Sequence, residues 1–134
     1  MAPSFSFYRA VFAIAAIYDI VLGAAFIFFY DPILDWLDIT PPDNTSYIHL
    51  SAVFVLVQGI SYVFAWQNLA ENVSLVKVGI IYKAAYFGVA LYYLVTDDLL
   101  HWIFFAFGVA DLGFMLLFIG ALAMLRSDRA LRAG

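Results

Sequence analysis

Four apolar runs, about Tyr8 to Tyr30, Tyr47 to Trp66, Leu75 to Val95 and Leu100 to Leu125, take up most of this 134-residue sequence. Each is close to the ~20 residues a helix needs to cross a hydrocarbon layer ~30 Å thick. The segments between them are short and leave little chain for a domain in water. The sequence is 66% hydrophobic and 12% charged, whereas a soluble domain is about a quarter charged and slightly under half apolar. A water-soluble protein of this length could not hide so much apolar surface, so lipid must be its main solvent. The expected fold is all-α and integral to a membrane. It is a single domain over residues 1–134 in which four short-looped transmembrane helices form an up-down-up-down bundle.

Charge orients the pattern. All six Lys and Arg belong to one side of it: Arg9 precedes the first run, Lys77 and Lys83 follow the loop between the second and third, and Arg126, Arg129 and Arg132 follow the fourth. The first and third loops carry Asp31, Asp35, Asp38, Asp43, Asp97 and Asp98 and no base. Short loops rich in Lys and Arg stay cytoplasmic, which puts both termini inside. The run Phe7–Tyr30 exceeds the ~7–15 residue core of a cleavable signal, and only Arg9 precedes it, so it reads as a retained span. Tyr30, Tyr47, Trp66, Tyr92, Tyr93 and Trp102 fall near span ends, where amphipathic rings favour the interface.

The connections have their own chemistry. Asp31-Pro32 ends the first span; Asp31 is placed to cap, and Pro32 to open, a short helix over Ile33–Asp38. That piece cannot cross a bilayer, and its apolar side and Trp36 suit the headgroup region. Pro41-Pro42-Asp43-Asn44 forms a rigid turn, Asn72 or Ser74 caps the third span, and Thr96-Asp97-Asp98 makes a tight turn before the fourth. Gly23-Ala24-Ala25, Gly59 with Ser61, Ala84 with Gly88, Gly108 with Ala110, and Gly120-Ala121 mark places where helix backbones can approach in lipid.

Several function classes drop out. There is no cysteine, which excludes disulfides, thiolate metal sites and cysteine nucleophiles. A net charge of −4 and a tail of only three arginines argue against a nucleic-acid partner; Arg126 to Arg132 would instead meet anionic lipid heads. No nucleophile elbow, zincin helix, P-loop or dinucleotide fingerprint occurs.

What remains is a polar layer inside the membrane. Counting about 1.5 Å per residue from the basic-side span ends, Asp19 lies about 16 Å deep, Gln58 and Lys83 about 12 Å, and Asp111 about 21 Å. Each span contributes one. Ionisable groups at such depth cost several kcal/mol in lipid, so they face the bundle interior and pair. The simplest arrangement sets Lys83 between Asp19 and Asp111, with Gln58 and the hydroxyls of Tyr18, Ser61, Tyr82 or Tyr86 taking the remaining bonds. Such a layer can be purely structural, can floor a ligand pocket, or can carry protons or ions. A continuous aqueous route fits poorly, because Leu22 to Phe29 contains no polar side chain. Asp19 and Asp111 are each followed by Phe-Ile seven and eight positions on, an agreement that apolar helices reach by chance.

His49 and His101 open the second and fourth spans at matched depth. Two such imidazoles could ligate a b-type haem or, with carboxylates, a metal. The competing reading places both in the headgroup layer, bonded to water; haem ligands in bundles usually lie deeper.

Tyr18-Asp19-x-x-x-Gly23, then Asp31-Pro32 and a short Ile33–Leu37 helix followed by prolines, resembles the DoxX-like group of small bacterial four-span proteins. Lys83 in a third span rich in Gly, Ala and Tyr, and Asp111 in a Val-x-Asp-Leu fourth span, fit the same likeness. The resemblance covers most of the chain and implies a four-helix bundle in a bacterial inner membrane. Members are similar to subunits associated with quinone-linked oxidoreductases, although this chain carries no recognisable redox ligand set. The functional expectation is therefore a non-catalytic membrane protein. It would be an accessory subunit of a larger assembly, respiratory or quinone-linked, or a homo-oligomer. The alternative is a binder or carrier of a small apolar molecule (quinone, carotenoid or lipid) in an aromatic-lined groove, its polar head near the Asp/Lys layer.

Overall fold

A computed structural model describes residues 4–133. They form five helices: α1 (Phe5–Phe28), α2 (Tyr30–Trp36), α3 (Ser46–Gln67), α4 (Val73–Val95) and α5 (Trp102–Ala133). All but α2 are long and apolar enough to cross a membrane. In lipid a spanning segment must satisfy its backbone groups internally, which a helix does. Apolar side chains such as Ile17, Phe28, Phe54, Ile81 and Leu116 face outward, while Asp19, Lys83 and Asp111 are buried. This is a multi-pass integral membrane protein, with its charges turned in and its hydrocarbon turned out.

Local chemistry sets the boundaries. The Ser4 side chain caps α1 by accepting from the Phe7 N–H. Pro32 has no N–H to offer the carbonyl four residues back, and its ring crowds that carbonyl, so α1 stops at Phe28. The chain turns at Phe29 and starts α2 at once. Asp31 thus lies inside the first turn of α2 and does not cap it; its charge still suits a helix N-terminus. Asp38 (φ 57°) and Asp97 (φ 59°) take the left-handed conformation after α2 and α4. In each case the next N–H reaches back five residues, Ile39 to Leu34 and Asp98 to Tyr93, closing the helix as a glycine usually would. Asn72 precedes α4 without capping it; its amide instead donates to the carbonyls of Phe64 and Asn68 at the end of α3.

The helix that holds the fourth apolar run extends beyond Leu125. Helix α5 continues to Ala133 and is about 48 Å long, well over the thickness of the hydrocarbon. Its last turns carry Arg126, Arg129 and Arg132 on one exposed rod, with Asp128 paired to Arg132 four residues on.

The helices pack as two close pairs, α1 with α3 and α4 with α5, which meet each other over a narrower zone. Two glycines explain the first pair. A Cβ on Gly23 would lie 2.7 Å from the Leu56 backbone nitrogen, and one on Gly59 would lie 2.8 Å from the Ile20 nitrogen. The backbones of α1 and α3 touch at both levels, as small residues permit in lipid. Arg9 then locks the basic end of this pair: its Nε donates to the Trp66 carbonyl at 2.8 Å and its guanidinium lies over the Trp66 ring.

The two pairs join mainly in the half of the bundle nearer the termini, around Phe12, Tyr62, Val76 and Phe118. The opposite end, where α2 and all six loop aspartates lie, is the acidic end of the bundle.

Candidate functional site

Lys83 sits fully buried on α4, one turn beyond Gly79, where the absence of a side chain admits the Tyr62 ring. Its ammonium donates to both carboxylate oxygens of Asp19, at 2.9 and 3.1 Å, and to Asp111 Oδ1 at 2.8 Å. One cation therefore ties α1, α4 and α5 together at a single depth. The rings of Tyr18, Tyr62, Tyr82 and Phe114 surround Nζ with centroids 5.3–5.6 Å away, a distance at which aromatic faces attract a cation. Two carboxyl groups share the one ammonium. Among the described residues Nζ hydrogen-bonds to Asp19 and Asp111 alone.

The rest of the layer is arranged differently from the sequence expectation. Gln58 lies at this level, but its Nε2 has no hydrogen-bond partner among the described residues. The Tyr18 hydroxyl has none either. Ser61 donates to the Gln58 backbone carbonyl, and Tyr86 donates to the Phe104 carbonyl at 3.3 Å. Short side chains on a helix find the carbonyl of the preceding turn before they find a partner across the bundle. Sequence reasoning missed Tyr62, whose fully buried ring touches Lys83, Phe12 and Phe118. Its place four residues beyond Gln58, on the same helix face, was the available signal.

The histidines have separate local roles. His49 meets Tyr30 edge-on with centroids 5.1 Å apart, holding the start of α3 against α2. His101 Nδ1 accepts the Ile103 N–H at 3.1 Å in the first turn of α5. Among the described residues no three His, Asp or Glu gather in a way that could hold a metal ion.

Between the pairs, on the acidic side of the ion triad, lies a cavity of about 460 Å³. Phe26 of α1, Val55 of α3 and Phe104 and Phe107 of α5 form its walls; Leu34 and Ile39 roof it; Tyr86 floors it. Leu34 and Ile39 are themselves buried, so α2 and the loop after it serve as a lid over apolar space. None of Asp19, Gln58, Lys83 or Asp111 lines this cavity. Tyr86, one helical turn from Lys83, stands between the two features.

The chain matches no protein-family model, no curated protein and no solved structure.

Proposed function

We propose that the protein is a membrane-embedded binder of a small apolar molecule, with the ion triad as the structural tie that keeps its two helix pairs together. The cavity carries this reading. Its volume falls within the roughly 300–1,000 Å³ typical of small-molecule sites, and like them it is walled by aromatic and aliphatic side chains with few polar groups. The reading moves the polar head of any occupant away from the Asp/Lys layer, because none of Asp19, Gln58, Lys83 and Asp111 lines the cavity. We further take the basic end to be cytoplasmic, on the distribution of Lys and Arg, and the membrane to be a bacterial inner membrane, on the resemblance to the DoxX-like group.

The test is mass spectrometry of an organic extract of the full chain purified in mild detergent. One small apolar species per chain is expected. Ser51→Trp, which places an indole at a rim position of the cavity, should lose it, whereas Lys83→Met should keep it wherever the variant remains folded. An extract with only bulk lipid, unchanged in Ser51→Trp, would refute the proposal.

A second reading, an accessory subunit of a respiratory or quinone-linked assembly or a homo-oligomer, draws on α4. Ala84 and Gly88 are exposed on one stripe of that helix, and nothing lies within 4 Å of where a Gly88 Cβ would be. Such a stripe suits close approach by another helix. Co-purification of a stoichiometric protein partner, or a stable oligomer lost in Gly88→Leu, would favour it.

A further inference from the structure

The cavity has a side door and an acidic frame, and together they specify what can use it. Helix α4 contributes only Tyr86 to the lining, and its final residues Leu91–Val95 are all exposed. On the acidic side, therefore, α3 presents one face to α1 through Ala52 and another to the cavity through Ile48, Ser51 and Val55. Tyr47 and Ser51 on α3, Leu100 before α5, and Thr40 and Pro42 in the loop after α2 are lining residues that are also exposed. They mark a mouth between α3 and the α4–α5 pair that reaches up to the loop after α2. Ser51 lies about 7 Å along α3 from Ser46, so the mouth runs from headgroup depth into the upper acyl region.

The rim supplies neutral hydroxyls from Thr40, Tyr47 and Ser51. Around it the charge has one sign. Asp35, Asp38 and Asp43 adjoin the lining residues Leu34, Ile39 and Pro42, and Asp98 lies beside Leu100 and Phe104 across the mouth. No Lys or Arg occurs between Arg9 and Lys77 or between Lys83 and Arg126, so neither of these permanently basic side chains faces those carboxylates from the loops at this end.

We infer that the occupant is an amphiphile of the leaflet at the acidic end. It enters sideways between α3 and the α4–α5 pair, with its tail toward Tyr86 and its head, free of net negative charge, at the hydroxyl rim. This rests on the cavity-binding reading above and adds direction of entry and headgroup charge. A carboxylate-framed mouth repels an anionic head and tolerates a zwitterionic or cationic one, by an amount that salt screens.

The experiment uses the full chain in a non-ionic detergent and two single-chain probes with the same acyl tail, one with a phosphocholine head and one with a phosphoglycerol head. Binding is read by native mass spectrometry across a titration. The phosphocholine probe should saturate at one per chain, and the phosphoglycerol probe should bind about five- to tenfold more weakly, equivalent to roughly one unit charge repelled at close range in water. Replacing Asp35, Asp38, Asp43 and Asp98 together by Asn should abolish that difference; Asn tolerates the left-handed φ at position 38. Ser51→Trp should remove both probes. If the two bind equally to the unmodified chain and Ser51→Trp still blocks them, headgroup selection is wrong while the cavity reading stands. If Ser51→Trp leaves both unaffected, the cavity reading falls and this inference with it.

Discussion

Phe12 and Phe118 stack face to face, their centroids 4.3 Å apart and their planes 8° from parallel. Phe12 lies seven residues before Asp19 on α1, and Phe118 seven residues after Asp111 on α5. Because the two helices run in opposite directions, both rings fall two turns below the ion triad on the basic side. The recurrence of Phe-Ile after each Asp therefore has no matching structural role: Phe26 climbs toward the cavity, and the partner of Phe118 is Phe12.

That stack is one of the side-chain links between the helix pairs, in the core they share. Phe118→Ala should destabilise the folded chain by about 3 kcal/mol, the usual scale for truncating a core aromatic. Adding Phe12→Ala should cost much less than it does alone, since the partner ring is already gone. Equilibrium unfolding in mixed micelles by a denaturing detergent reads both.

Lys83→Met strands two carboxylates in the bundle, and breaking a buried ion pair from one side costs about 3–5 kcal/mol. Converting all three residues together, with Asp19→Asn and Asp111→Asn, should recover most of that loss, because no uncompensated charge remains. If the single variant were as stable as the unmodified chain, the triad would not be the tie proposed here.

Glycines separate by what they face. Gly23→Ala forces a methyl to within 2.7 Å of the Leu56 backbone and should push α1 off α3, lowering the unfolding midpoint and the yield of folded protein. Gly88→Ala and Gly113→Ala meet nothing within 4 Å; they should be neutral or gain up to about 1 kcal/mol from helix propensity. Equal losses at all three positions would contradict the packing.

The exposed Asp128–Arg132 pair should matter little. Its Arg side chain is 77% exposed, and surface i,i+4 pairs contribute about 0.3–0.5 kcal/mol before screening. Asp128→Asn should leave the unfolding curve unchanged within error, in contrast to Asp19→Asn.

The four spans and the meeting of Asp19, Lys83 and Asp111 could be read from the sequence because lipid enforces both: apolar length fixes the crossings, and the cost of charge in hydrocarbon fixes which way the ionisable residues turn. The cavity was not legible. It depends on how far α3 diverges from α4 and on where Leu34 and Ile39 settle, and no local pattern encodes either. The length of α5 beyond the apolar run was not legible for a related reason. Hydropathy stops at Leu125, but Arg126 to Ala133 contains good helix formers that continue the rod into water. Asp31 looked like a cap because its side chain suits the role; the break forced at Phe28 by Pro32 decided otherwise.

The most direct test of the account is the position of the Lys83 ammonium in a bilayer. The chain has two lysines, so Lys77→Arg leaves Lys83 as the sole source of a ¹⁵Nζ signal, and aspartates can be labelled at the carboxyl carbon. Solid-state NMR recoupling should then report two strongly coupled carboxyls, consistent with 2.9 Å to Asp19 and 2.8 Å to Asp111, and Asp19→Asn or Asp111→Asn should each remove one. An ammonium coupled to no carboxyl, or coupling unchanged by either substitution, would contradict it.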